Sequence, residues 1–180
     1  MPEAGVCKKT HEEMLTEDEM ILAAAAAQSL GVKKIRITGG EPLVKKNILS
    51  ICERISKLSG IEEVTLTTNG ILLKDFAQGL KAAGVKRLNI SLDTLDPQKF
   101  FEITRGGDLQ KVLAGIEEAI KVGFKKIKLN VVLMAGFNED EIRSLAQLSL
   151  NKPIDVRFIE LMPMVDINYE PTAFLNSKKV

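Results

Sequence analysis

The sequence predicts an α/β fold in which about five parallel strands form an incomplete, curved sheet with helices against one side. Two observations carry this. First, Gly-apolar-x-x-apolar recurs as Gly31-Val-Lys-Lys-Ile35, Gly60-Ile-Glu-Glu-Val64, Gly84-Val-Lys-Arg-Leu88 and Gly123-Phe-Lys-Lys-Ile127, at intervals the length of one βα unit. Each glycine is suited to end a helix in the left-handed conformation, and the residues after it open a strand. Pro153-Ile-Asp-Val-Arg157 opens a fifth strand with proline in place of the glycine turn. Second, the apolar pattern switches between period two and period 3.6 from one repeat point to the next. Alternating strand and helix argues for a parallel sheet with right-handed crossovers.

Taken in order, Thr16-Glu-Asp-Glu19 is a capping box ahead of a helix through Met20, Ile21 and the alanines 23–27. The alanine run has high helix propensity, and its small side chains suit close packing on a sheet. Asn47 is placed to cap a helix burying Ile48, Ile51, Cys52 and Ile55, and Asp108 one burying Val112, Ile116 and Ile120. Helices over Leu73 to Ala83 and Glu139 to Leu150 complete the set. Strands fall near Lys33–Thr38, Glu63–Thr68, Lys86–Leu92, Lys126–Met134 and Asp155–Leu161. One core spans residues 1–164, and residues 165–180 open a further, truncated region.

Parallel strands covered on both faces read as continuously apolar. These alternate instead. One face carries Arg36, Thr38, Thr65, Thr67, Asn89, Ser91, Asp93, Lys128, Asn130 and Arg157, and the other the aliphatics. Three cations against one acid on the polar face point to an anionic occupant, a phosphorylated small molecule, since an unpaired buried charge is costly. The bland alternative is a solvated face whose cations join a lysine-rich rim. That suits Lys33, Lys34, Lys86, Arg87, Lys125 and Lys126 at the strand starts, and suits mid-strand Arg36 and Lys128 poorly.

A chain of 180 residues can bury about 70% of its unfolded surface, and 45% apolar residues supports a core without staples. With 25 basic against 24 acidic residues, charge gives no argument for nucleic acid or membrane. The absence of tryptophan argues against a base-stacking platform. The apolar run Ile21 to Ala27, even with Met20 before it, is far short of a membrane span. No apolar leader opens the chain, and two cysteines make no disulfide framework, so a reducing cytoplasmic setting is expected.

Function is expected at the C-terminal ends of the strands. There stand Thr38-Gly39-Gly40-Glu41-Pro42, Thr67-Thr68-Asn69-Gly70, Ser91-Leu92-Asp93, Asn130 and Arg157-Phe158-Ile159-Glu160-Leu161-Met162-Pro163. In this order and spacing they resemble the radical S-adenosylmethionine superfamily. Within it, Arg36-Ile-Thr38, Asn130-Val-Val-Leu-Met-Ala-Gly-Phe-Asn138 and Met1-Pro2-Glu3 resemble the molybdenum cofactor biosynthesis protein A family, the GTP 3′,8-cyclases. The likeness covers roughly residues 1–164.

The resemblance implies a partial (βα)6 barrel. It implies S-adenosylmethionine and 4Fe–4S clusters as cofactors and GTP as substrate. In the family a 5′-deoxyadenosyl radical takes hydrogen from C3′ of GTP, and the ribose radical attacks guanine C8. By matching position, Gly40, Ser91 and Met162 contact S-adenosylmethionine, with Gly39 and Glu41 shaping the same pocket. Arg36, Thr67 and Lys128 contact GTP. Met162 shares a face with Val156 and Phe158, so a core methionine is its alternative reading. The resemblance also implies a homodimer and a downstream molybdopterin-pathway enzyme as partners of the whole protein. The family's Cys-x3-Cys-x2-Cys triplet has no counterpart here, and Cys7 and Cys52 cannot replace it. Cys52 reads as a buried thiol and His11 as a surface residue. The chain alone is therefore expected to be catalytically inactive. Other readings are a radical enzyme acting on a non-nucleotide substrate, and a non-catalytic nucleotide-binding remnant.

Overall fold

The computed structural model describes residues 14–162. Met1-Pro2-Glu3, Cys7, His11, Pro163 and the region 165–180 lie outside them. Five parallel strands form one open sheet in sequence order: β1 (Lys34–Ile37), β2 (Glu63–Thr68), β3 (Val85–Ser91), β4 (Ile127–Leu133) and β5 (Ile154–Glu160). Between them run α1 (Glu17–Ser29), α2 (Ile48–Ser56), α3 (Leu73–Ala82), α4 (Pro97–Thr104), α5 (Leu109–Lys121) and α6 (Ile142–Gln147). Val64, Leu66, Leu88, Ile90, Ile127 and Leu129 bury on one face of the sheet, in one cluster with Ile51, Cys52 and Ile55 of α2, Ala77 and Leu80 of α3 and Val112 and Ile116 of α5. A smaller cluster of Val131, Leu133 and Leu145 seats α6.

The capping box of α1 forms in full, with the Glu19 amide donating to Thr16 Oγ1 and the Thr16 amide to Glu19 Oε2. Asp108 caps α5 by accepting from the Gln110 amide at 2.9 Å. Asn47 stands at the start of α2 without capping it: its amide donates to Glu17, which also accepts from Ser50 Oγ at 2.6 Å and Arg54 Nη1 at 2.9 Å. The side chain is drawn to a carboxylate on the neighbouring helix. The alanine run does not lie closely on the sheet either. Only Ala24 of α1 is buried, because α1 leans on α2 at the edge of the sheet. Helix α4 was not anticipated, although Asp96-Pro97 is a start signal: Asp96 Oδ1 accepts from the Gln98 and Lys99 amides at 2.7 and 2.9 Å, with proline in the first turn.

A register shift between Val64 and Thr65 sets Val85 against Val64 but Arg87 against Thr65. Lys86 is the extra residue, as in a bulge. The shift keeps Val85 in the core and still leaves Arg87 in the same alternation as Asn89. Arg87 is thus no rim residue; it is half-buried and pairs with Glu63 at 3.0 Å.

Two outcomes are expected. A Cβ on Gly115 of α5 would stand 2.9 Å from Leu73 Cβ and 3.0 Å from the Gly70 carbonyl. Overpacking costs about 1–3 kcal/mol, against a helix-propensity gain of about 1 kcal/mol for Gly→Ala. Gly115→Ala should therefore lower the urea midpoint; a raised midpoint would show that the backbone gives way freely. Glu17 is held down to about 2 from its ordinary 4.5, chiefly by the Ser50 hydrogen bond, then by Arg54 and Asn47. Its folded pKa lies below the unfolded one, so this stability is present above about pH 4.5 and lost as pH falls toward 2. Denaturation of Glu17→Gln should show a flatter acid limb than wild type across that window.

Candidate functional site

Each strand delivers its site residues by alternation. In register, Arg36 lies beside Thr65 and Thr65 beside Arg87, and Thr67, Asn89, Lys128 and Asp155 form the next row across β2 to β5. Ser91, Asn130 and Arg157 form the row above. The structure therefore brings Thr67 and Lys128 into one row, with Arg36 and Ser91 in the rows below and above. Arg36, Lys128 and Arg157 have no ion-pair partner among the described residues. Burial, then the like charges of Arg157 and Arg87, holds the Lys128 ammonium below the usual lysine range. A cation disfavoured in this way gains when an anion arrives.

The charge balance differs from three cations against one acid. Arg87 joins the face, and so do Glu63, its partner, and Asp155 beside Lys128. Asp93 is lost from it. The last β3–β4 ladder bond runs from the Leu92 amide to the Asn130 carbonyl, and the next amide, that of Val132, donates to Asp93 Oδ1 at 2.8 Å. The carboxylate takes up a backbone donor where β3 leaves the sheet, and burial raises its pKa.

Above the sheet, Glu41 fastens two loops. Its Oε1 accepts from Thr68 Oγ1 at 2.7 Å and from the Leu43 amide at 3.0 Å, and its Oε2 from the Asn69 amide at 2.7 Å. Thr68 Oγ1 in turn accepts from the Gly70 amide, and Asn69 Oδ1 from the Ile71 amide. Gly70 has φ +82, and a Cβ there would meet Val112 at 2.9 Å, so the turn requires glycine. Gly39 and Gly40 differ: neither has a positive φ, and a Cβ on either would touch nothing among the described residues. Their bareness serves no packing among the described residues and leaves the backbone open there.

Two further residues, Asn138 at the end of the 130–138 motif and Glu141, which no sequence motif marks, brace the frame. Buried Asn138 donates to the Asp93 and Val132 carbonyls and accepts from the Met134 amide. Glu141 accepts from Thr94 Oγ1 and the Leu95 amide, both at 2.6 Å, and from Lys99. Together they tie the loop after β3 to the loop after β4. An asparagine that ends a strand-and-turn motif is the signal that could have found the first. Met162 follows β5 and is 70% exposed, which removes the core reading. Cys52 is buried, and burial pushes its thiol up to about 12. No group of three potential ligands gathers among the described residues, so they do not fit an iron–sulfur cluster.

In Glu41→Gln a side-chain amide donor replaces one carboxylate oxygen, while three protein donors still point at the pair. Leaving one unmet costs about 1–3 kcal/mol. The variant should unfold more readily and exchange its Asn69 amide hydrogen faster; unchanged exchange at Asn69 would remove the fastening role.

Comparison with known proteins follows the same lines. Residues 7–149 match the family described as the Radical SAM superfamily. The chain is 55% identical over 164 residues to the GTP 3′,8-cyclase of Alkaliphilus oremlandii (strain OhILAs), covering 91% of this chain and 51% of that protein. It is 49% identical over 181 residues to the GTP 3′,8-cyclase of Alkaliphilus metalliredigens (strain QYMF), covering 100% of this chain and 57% of the relative. The chain thus spans about half the length of the curated relatives it matches. Among solved structures, a radical SAM methyltransferase from Sphaerobacter thermophilus superposes with TM-score 0.69 at 21% identity, covering 92% of this chain and 52% of that one. Methylornithine synthase superposes with TM-score 0.62 at 17% identity, covering 80% and 44%. These likenesses establish the fold. The matched family, over most of the described residues, establishes the membership: the chain belongs to the radical SAM superfamily.

Proposed function

We propose that this chain is the barrel core of a GTP 3′,8-cyclase of molybdenum cofactor biosynthesis, and that its polar face holds GTP below a site for S-adenosylmethionine. The observation that carries the reading is the set of cations, Arg36, Lys128 and Arg157, that have no ion-pair partner among the described residues and stand opposite the face on which the described helices pack. A triphosphate supplies the anion that those cations lack, and relatives about half identical are named for a reaction of GTP. Arg36 offers a fixed fork of donors and Lys128 a compact point charge, with the Thr67 hydroxyl as a neutral donor between them. Gly40, Ser91 and Met162 would contact S-adenosylmethionine, with Gly39 leaving the backbone bare and Glu41 holding the loop in place. These residues bind, orient and exclude water.

The cluster chemistry belongs to cysteines this sequence does not contain, since its two cysteines, Cys7 and Cys52, cannot supply three thiolates. No step is therefore assigned to the chain through iron. The cyclase reaction, a homodimer and a downstream partner enzyme are proposals for the whole protein.

Titration of GTP into the 180-residue chain should give binding that Lys128→Ala weakens about tenfold or more, as loss of a charge-assisted contact does. Arg36→Ala should weaken it comparably. Equal affinity in wild type and both variants would favour a non-phosphorylated substrate instead. Iron reconstitution of the same chain with S-adenosylmethionine and a reductant should yield no 5′-deoxyadenosine; its appearance would contradict the ligand count.

A further inference from the structure

Asn89 has an unusual place on the polar face. It is 3% exposed, and its Nδ2 finds no hydrogen-bond partner among the described residues. Buried side-chain amides are nearly always paired, and an unmet donor is costly, so such a group calls for a partner from outside the chain. Its position says what that partner is. Asn89 is in register with Thr67 on one side and Lys128 on the other. Neighbouring strands lie about 4.8 Å apart, so Thr67 and Lys128 are about 10 Å apart across it. Any ligand that touches both must pass over Asn89. One row below, Arg87 repeats the pattern: its guanidinium pairs with Glu63, while its Nε is buried and has no partner among the described residues.

We infer that Asn89 is a nucleotide-binding residue, whose side-chain amide donates to a phosphate oxygen of the ligand held between Thr67 and Lys128. This rests on the GTP reading above. The donor has no partner among the described residues, and a phosphate oxygen seated in the row between Thr67 and Lys128 supplies one. Arg87, held by its pair with Glu63, is a positioning residue in the floor of the row.

The inference separates from a structural role by two readouts on the full chain: the melting temperature without ligand and the shift in Tm produced by GTP. Asn89→Leu keeps the branching at Cγ and the number of side-chain heavy atoms and removes the unmet donor. It should leave the ligand-free Tm unchanged or raise it, while GTP affinity falls about tenfold. Asn89→Asp keeps the shape and puts a carboxylate beside Lys128. It should fold and lose the GTP-induced shift, with affinity down by more than in Asn89→Leu. If ligand-free Tm falls in Asn89→Leu and GTP affinity is unchanged in both variants, Asn89 is a structural residue and the inference is overturned, while the GTP reading stands. If the wild-type chain itself shows no shift with GTP, the GTP reading fails and takes this inference with it.

Discussion

Val64, Leu66, Leu88, Ile90, Ile127 and Leu129 bury against α2, α3 and α5, and the pleat then sends their alternate neighbours to the opposite side of the sheet. Arg36, Thr67, Asn89, Ser91 and Lys128 stand where they do because the aliphatics have no other place to go. A parallel sheet usually wears helices on both faces. Here the described helices gather in the clusters of the aliphatic face, and the opposite, polar face is the one proposed for the nucleotide. A single-residue slip of any strand would exchange core for site, so the hydrophobic burial that stabilises the domain also fixes the geometry of the polar rows.

Electrostatic strain on that face is held in check by hydrogen bonding around its upper rim. Lys128 sits near Arg87 and Arg157 and is pushed toward its neutral form, while Arg87 is offset by Glu63 and Asp155 lies beside Lys128. Glu41 locks the loop after β1 to the loop after β2, and Asn138 and Glu141 lock the loop after β3 to the one after β4. The cations are consequently displayed from a braced frame, with little ordering left to be done when an anion binds.

Much of this was legible in the sequence because it depends on period and local chemistry. All five strands could be placed to within a residue or so, since glycine turns and strict alternation mark them. The capping box at Thr16 and the N-cap at Asp108 behave as their residue types require. What escaped depends on contacts distant in sequence. Asn47 looked like a cap but meets Glu17 on another helix. The register shift at Lys86 has no local sign, so Arg87 read as a rim lysine-like residue when it belongs to the buried row system. Asp93 was counted among the face charges, yet a backbone amide 39 residues away takes its carboxylate. Helix α4 was the one local omission, and Asp96-Pro97 marks it plainly.

The central claim is that the polar face of the sheet, and not the helical side, receives a phosphorylated nucleotide. Backbone amide chemical shifts followed through a GTP titration test it most directly. The account predicts perturbations concentrated along β2, β3 and β4 at Thr67, Asn89, Ser91 and Lys128, reaching β1 at Arg36, and much weaker ones with guanosine than with GTP. Perturbations confined to the outer helices, or equal responses to guanosine and GTP, would contradict it.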